Sequence, residues 1–241
     1  MARDTALQAR AARSGETVFS IYSWIRPTLS FGRNQPASGL YDLEKIRAAD
    51  IDVVRRPTGG RAILHHREVT YSVTAPIDSA TLRETYARIN RILQTGLSRL
   101  GVVVEAVSHS QPTPRLSVRS CFETPAEGEL VAQGAKLVGS AQWREDGALL
   151  QHGSILVGDD QSSLSEFAAS LGTEGLNIPA PATLQALLGR APDVDEVANA
   201  MFEAVRELED ADATELLEDD VRGEALKRAP NFLDEDWTWR R

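Results

Sequence analysis

The clearest periodicity in the chain runs from Asp78 to Leu100. Leu82, Tyr86, Ile89, Leu93, Leu97 and Leu100 recur at three- and four-residue spacing and fall on one face of a helix. Asp78 or Ser79 offers an N-cap and Gly101 a stop. Upstream, residues 2 to 13 suit a short helix, and Thr17 to Trp24 is rich in the β-branched and aromatic residues of a strand. "RPTLSFGRNQP" reads as a turning segment, and Leu40, Leu43, Ile46 and Ala49 mark a further helix. "DVVRRPTGGRAILHH" reads as strand, glycine turn, strand, and "EVTYSVTAP" as a strand that Pro76 ends by removing a backbone donor. "VVVEAVS" adds a strand and the "QPTP" region a loop. From Glu129 to Val157 antiparallel strands are broken by turns at Gln133-Gly134 and Asp146-Gly147. Beyond Asp160 the pattern becomes helical, with Val194, Val197, Met201, Phe202 and Val205 on one stripe and a further helix in "DATELLEDDVRGEALKRA". This order predicts an α+β fold, a mixed and largely antiparallel sheet with flanking helices. It forms one domain over residues 1–241, with a helical C-terminal portion from about residue 161.

Composition narrows the class. The 241 residues are 42% hydrophobic and 25% charged, within the ordinary globular range. No apolar run is long enough to cross a bilayer, and the first residues lack the apolar core of a secretory signal, so the expected compartment is the cytoplasm. A single cysteine, Cys121, fits that compartment, since it has no intrachain partner for a disulfide. The formal charge of -9 opposes nonspecific attraction to nucleic acid or to an anionic membrane. An anionic partner must be met locally, and Arg55, Arg56, Arg61 and Arg67 are the densest local basic supply. The late acidic run "ELEDADATELLEDD" is a solvated helical face.

Four features could carry chemistry. The Thr58-Gly59-Gly60 turn lacks the ending of a P-loop and the spacing of a dinucleotide fingerprint. Its glycines allow close backbone approach to a ligand, while Arg55 and Arg56 present fixed forks of donors to a phosphate or carboxylate. The plainer alternative is a hairpin glycine pair with two surface arginines. His65 and His66 are adjacent, point to opposite faces of a strand and make a poor shared metal site, so no metal is expected. Lys136 lies in an otherwise apolar strand between Gly134 and Gly139, where burial is costly unless an anion or carbonyl meets it; the alternative is an ordinary exposed strand lysine. Cys121 has Ser120, Phe122 and Glu123 as neighbours, a setting for a partly exposed thiol. As a nucleophile it needs nearby positive charge, which Lys136 or His65 would supply if the fold brings them together.

Taken together, "RRPTGGRAILHHREVTYSV" and "GAKLVGSAQWREDGALLQHGSILV" resemble the lipoate/octanoate protein-modifying family, related in fold to biotin protein ligases. The likeness extends more loosely through "YSWIRPTLSFGRNQ" and "NFLDEDWTWRR". Within the family, "SCFETPAEGELVAQGAKLVGSAQ" is most similar to octanoyltransferases of the LipM type. The resemblance implies that Cys121 is the nucleophile and Lys136 the pocket lysine near the acyl carbonyl. It implies a substrate pocket built from Arg56, Thr58, Gly59, Gly60, Arg61 and His65, with Gly139, Ser140 and Ala141 of one strand and Gln151, His152 and Gly153 of another. The implied donor is octanoyl-acyl carrier protein. The implied acceptor is a lysine of a lipoyl-domain protein, such as the glycine-cleavage carrier protein or a dehydrogenase subunit. No cofactor is implied.

Two departures from the family pattern stand out. Members carry a strand before an Asn-Met-Ala-x-Asp-x-Ala-Leu helix, and this chain begins inside that motif at "MARDTAL", so a first strand is expected to be missing. His66 stands where lipoate ligases often have Asp. The alternatives are an ATP- and magnesium-dependent lipoate ligase, in which Lys136 binds an acyl-adenylate, and a non-catalytic acyl-carrier or lipoyl-domain binding protein.

Overall fold

The computed structural model describes residues 1–108, 122, 126–169 and 180–240. Its elements in chain order are α1 (Ala2–Ser14), β1 (Val18–Tyr22), β2 (Thr28–Phe31), α2 (Leu43–Ala48), β3 (Asp52–Arg55), β4 (Ile63–His65), β5 (Glu68–Pro76), α3 (Leu82–Arg99), β6 (Glu105–Ala106), β7 (Leu130–Ala132), β8 (Ala135–Glu145), β9 (Ala148–Leu156), α4 (Leu184–Leu188), α5 (Val194–Leu208), α6 (Asp219–Leu233) and α7 (Glu235–Thr238). A 3₁₀ turn, Gln161–Phe167, lies between β9 and α4. Among the described residues no helix is long and apolar enough to cross a membrane.

The strands form two sheets. The larger, ordered β1-β5-β9-β8-β7-β6, is antiparallel throughout, as expected. Its long β8–β9 hairpin turns at Asp146 and Gly147, and the β7–β8 hairpin at Gln133 and Gly134. All four residues have φ between 49° and 81°, the signature of two-residue turns that match strand twist. One side of this sheet packs Tyr71, Val73, Leu137, Leu149 and Ile155 against Ile89, Leu93 and Leu97 of α3 and Val197 and Met201 of α5. Helix α1 lies against β5 and β9, and Ala6 and Leu7 pack on Val221 of α6.

The smaller sheet, β3-β2-β4, departs from the sequence reading. "RPTLSFGRNQP" is not simply a turn, because Thr28–Phe31 forms its central strand, parallel to β3 and antiparallel to β4. The alternation of Thr28, Leu29, Ser30 and Phe31 spans only four residues, all of them buried, and the flanking Pro27 and Gly32 read as turn signals. In consequence the glycine turn is no hairpin. β3 and β4 are separated by β2, and the Arg56–Ala62 loop crosses over its end.

Two boundaries also move. Helix α3 starts at Thr81, not Asp78 or Ser79, because Thr81 and Glu84 form a reciprocal capping box. "VVVEAVS" yields only the two residues of β6, with Val102 and Val104 reaching the core from irregular backbone while Val103 is exposed.

Candidate active site

The two sheets meet at a cavity. The loop supplies Arg56, Gly59 and Gly60, β4 supplies Ile63 and His65, and β5 supplies Thr70. β8 supplies Gly139, Ser140 and Ala141, β9 supplies His152, Gly153 and Ser154, and Met1 completes the wall. Most residues expected of a substrate pocket therefore come together although they are up to 97 positions apart in sequence (Arg56 to Gly153). Glycine sets close backbone approaches within each layer. A side chain at Gly32 would collide with the Gly60 carbonyl oxygen, and one at Gly153 with that of Gly139. Gly60 itself has φ of 102°, a conformation that side chains disfavour. Gly59 differs, since an added Cβ there meets nothing within 4 Å.

Behind the wall run two hydroxyl–imidazole–carboxylate chains. In the first, Thr58 Oγ1 lies 2.7 Å from His152 Nε2, and His152 Nδ1 lies 3.0 Å from Asp4 Oδ2, which also accepts from the Tyr22 hydroxyl at 3.0 Å. Burial lowers the pKa of His152 and, in a neutral ring, the Asp4 contact places the proton on Nδ1, so Nε2 accepts from Thr58. Burial alone would raise the Asp4 carboxyl. The N-terminal ammonium and the hydrogen bonds from His152 and Tyr22 outweigh it and hold the group well below the usual carboxylate range.

In the second chain, Ser30 Oγ is 2.8 Å from His65 Nε2, and His65 Nδ1 is 3.2 Å from Glu68 Oε1, which accepts from Thr70 at 2.5 Å. Trp24 stacks on His65 with centroids 4.4 Å apart and donates to Thr70 at 2.8 Å. Both histidines thus spend both ring nitrogens inside the protein and face the cavity as wall. His66 turns the other way, to Asp160 on the surface.

Lys136 does not line the cavity itself; it lies beside Gly139, which does. It is 2% exposed, and its Nζ is 2.6 Å from Glu129 Oε1 and 4.9 Å from the centre of the Phe122 ring. Simple alternation along β8 would set Lys136 on the same side as Val138 and Ser140. The pairing with β7 slips between Leu130 and Val131, so Val131 faces Lys136 while Leu130 faces Val138. This extra residue reverses the phase and brings Lys136 Cε within 3.2 Å of the place a Gly139 side chain would take. The exposed-lysine alternative is thereby removed. Cys121 lies outside the described residues, and Phe122, the next residue in sequence, is buried on Lys136 and against Ile63 and Leu156.

The arginines do not form an open anion site. Arg55 is fully buried and, among the described residues, donates to backbone carbonyls, including those of Gly32 at 2.6 Å, Gln35 at 2.7 Å, Thr238 at 2.8 Å and Trp237 at 3.0 Å. Arg56 lines the cavity, but its guanidinium donates to the carbonyls of Ser30, Gly59 and Arg61 and to the Ser30 hydroxyl. Arg61 is 6% exposed and not part of the cavity wall, and Arg67 turns to Gln185. The two surface arginines of the hairpin reading are therefore buried structural residues. Gln151 does not line the cavity either. It links Gln142 to Tyr71, whose phenol donates to Ser140 and is pushed up to about 12 by burial.

Three acids in or beside this site escaped the sequence reading: Asp4, Glu68 and Glu129. Asp4 carried a signal, since it shares a stripe with the buried Leu7, Gln8 and Ala11 of α1. A carboxylate on the apolar side of a helix needs a partner.

Residues 1–206 match the family model for the lipoyl protein ligase A/B catalytic domain. The chain belongs to that family. Among its relatives, octanoyltransferase LipM of Carboxydothermus hydrogenoformans is 42% identical over 169 residues, 68% of this chain and 62% of that protein. LipM of Moorella thermoacetica is 37% identical over 206 residues, 80% of this chain and 71% of that one. The chain thus spans under two thirds of the first of these relatives. A bi-partite lipoate protein ligase of Thermoplasma acidophilum, solved with its E2 lipoyl domain, superposes with a TM-score of 0.78 at 20% identity, covering 99% of this chain and 89% of that one. The lipoate ligase fold is shared, as the sequence motifs implied.

Proposed function

We propose that this lipoyl protein ligase A/B family member is a protein N-octanoyltransferase of lipoate synthesis. It would carry octanoyl from octanoyl-acyl carrier protein, through a thioester on Cys121, to a lysine of a lipoyl domain. The two LipM relatives bear that name. The observation that carries the reading is the packing of Phe122, the sequence neighbour of Cys121, on the buried amine of Lys136, which lies beside Gly139 of the cavity wall. That contact ties the segment bearing the thiol to the group best suited to stabilise a thiolate.

The chemistry balances without ATP or magnesium. The Cys121 thiolate attacks the donor carbonyl carbon; a carbon–sulfur bond forms, the donor's breaks, and the carrier leaves as its thiolate. The two thioesters are nearly equal in energy. The neutral ε-amine of the acceptor lysine then attacks. The carbon–nitrogen bond forms, Cys121 leaves as thiolate, and the amine's proton passes to water, while the released carrier thiolate takes one up. The Lys136 ammonium offsets charge on the thiolate and on the tetrahedral oxyanion. The glycine turn and the histidine-backed strands form the wall along which the acyl chain lies.

Intact-mass spectrometry after mixing with octanoyl-acyl carrier protein tests this. The expected result is a hydroxylamine-labile octanoyl adduct on the parent, absent from Cys121→Ser and formed about 10²-fold more slowly by Lys136→Ala. No adduct on the parent, with octanoyl-adenylate formed from octanoate, ATP and magnesium, would replace this reading with a ligase. No reaction of either kind, with carrier binding retained, would leave a binding protein.

A further inference from the structure

The mechanism just given uses Lys136 but leaves its partner unassigned. Glu129 is 6% exposed, and both of its carboxylate oxygens are engaged. Oε1 lies 2.6 Å from Lys136 Nζ, and Oε2 accepts from the Ala126 backbone N–H at 2.6 Å. Ala126 belongs to the short stretch between Phe122 and β7. The carboxylate therefore joins the backbone that follows the cysteine to the side chain of the lysine. A buried ammonium with a four-carbon stem has many rotamers, and a short ion pair inside the protein restricts them. The β8 bulge chooses the side of the sheet on which Lys136 emerges, the Phe122 ring covers its head, and Glu129 fixes where beside the cavity wall the charge sits.

We infer that Glu129 is the positioning residue of this site, holding the Lys136 ammonium where the oxyanion forms and coupling it to the segment that carries Cys121. The inference rests on the transferase reading for its purpose, though not for its geometry. Lys45, Lys136 and Lys227 are the chain's three lysines, which makes a direct test tractable.

In protein with ¹⁵N-labelled lysine, the parent is expected to show one slowly exchanging ammonium signal. It should vanish in Lys136→Arg and in Glu129→Gln, which keeps the acceptor for Ala126 but removes the charge. In parallel, Glu129→Gln is expected to form the octanoyl adduct about 10²-fold more slowly with an unchanged KM for the donor, and Glu129→Asp to recover part of that loss. A parent without the ammonium signal overturns the ion pair itself. A signal that vanishes in Glu129→Gln while adduct formation keeps the parental rate overturns the positioning role. Should Glu129→Gln fail to fold, Glu129→Asp decides, because its charge is intact and only the arm is one methylene shorter; a parental rate there overturns the proposal. If the parent shows the signal but forms no adduct, the transferase reading falls and takes the catalytic purpose of Glu129 with it.

Discussion

Replacing Arg55 by Met tests whether this arginine is a structural clamp or a ligand for an anionic partner. The guanidinium joins two segments that are remote in sequence. Its Nη1 donates to Gly32 and Gln35 in the loop after β2, while Nε and Nη2 donate to Trp237 and Thr238 in α7. Trp237 returns a bond to the Arg55 carbonyl at 3.2 Å, Arg240 donates to Arg33, and Trp239 packs on Phe31. Carbonyls of the C-terminal segment regain water when it lifts, but those of Gly32 and Gln35 stay inside. Each lost charge-assisted bond is worth about 1.5–3 kcal/mol, so two give about 3–6 kcal/mol. Relief of the buried charge, whose pKa burial and the charges of Arg240 and Arg56 push down to about 10, returns part of that. The expected net loss is about 3–4 kcal/mol in urea unfolding, with earlier proteolytic release of the C-terminal segment.

Arg55→Lys should lose nearly as much, because a point charge cannot span both segments. The loop after β2 also carries Gly32, which abuts Gly60 at the cavity, so adduct formation should fall along with stability. Parental stability in Arg55→Met, with weakened binding of the acidic carrier alone, would refute the clamp and restore the anion-site reading.

Two further outcomes follow from the wall of the cavity. Gly59→Leu should leave unfolding within about 0.5 kcal/mol of the parent, since its Cβ enters open space, while slowing acyl transfer from octanoyl donors more than from acetyl donors. Gly153→Ala should instead destabilise by about 1–3 kcal/mol, because its Cβ meets the Gly139 carbonyl. Equal transfer rates for Gly59→Leu and the parent would mean that the acyl chain lies elsewhere. For His152, burial depresses the folded pKa below the ordinary imidazole value of 6.5, so the unfolded chain binds the proton first as pH falls. The stability tied to the neutral ring is present above pH 6.5 and is lost as pH drops below it, by up to about 1.4 kcal/mol per pH unit. His152→Gln should remove that slope below pH 6.5, and an unchanged slope would show that another group sets it.

Much of this architecture was legible along the chain wherever a face met water. Helix α3 and the stripe on α5 announce themselves because one side is polar, and the β8–β9 hairpin through its Asp146-Gly147 turn. Strand β2 does not, since the alternation of Thr28, Leu29, Ser30 and Phe31 is only four residues long and sits between the turn signals of Pro27 and Gly32. The place of β2 between β3 and β4 was hidden as well: a glycine pair between two strands looks like a hairpin whether or not a third strand lies between them. The site followed the same division. Its motifs were readable as two stretches, but the slip that turns Lys136 toward Gly139 is a property of the β7–β8 pairing, with no marker in the lysine's own neighbourhood. Glu129 was closer to legible. The Gln133-Gly134 turn had been recognised, and folding the chain about it brings the residues before Leu130 alongside the start of β8.

Arg55 and Lys136 show why burial of a charge does not by itself mark chemistry. Both are among the largest fully buried side chains in the protein. Arg55 is surrounded by neutral carbonyls from two segments, a field of fixed dipoles with no role in proton or acyl transfer, and its forked head matches them one donor at a time. Lys136 meets a carboxylate and the face of an aromatic ring beside the wall of a cavity, and the carboxylate is bound in turn to backbone near the cysteine. An ammonium held this way can lend its charge to an oxyanion without leaving its partner, which a guanidinium locked between two chain segments cannot do. The sequence carries both as basic residues among apolar neighbours, and their roles divide only on what each one touches.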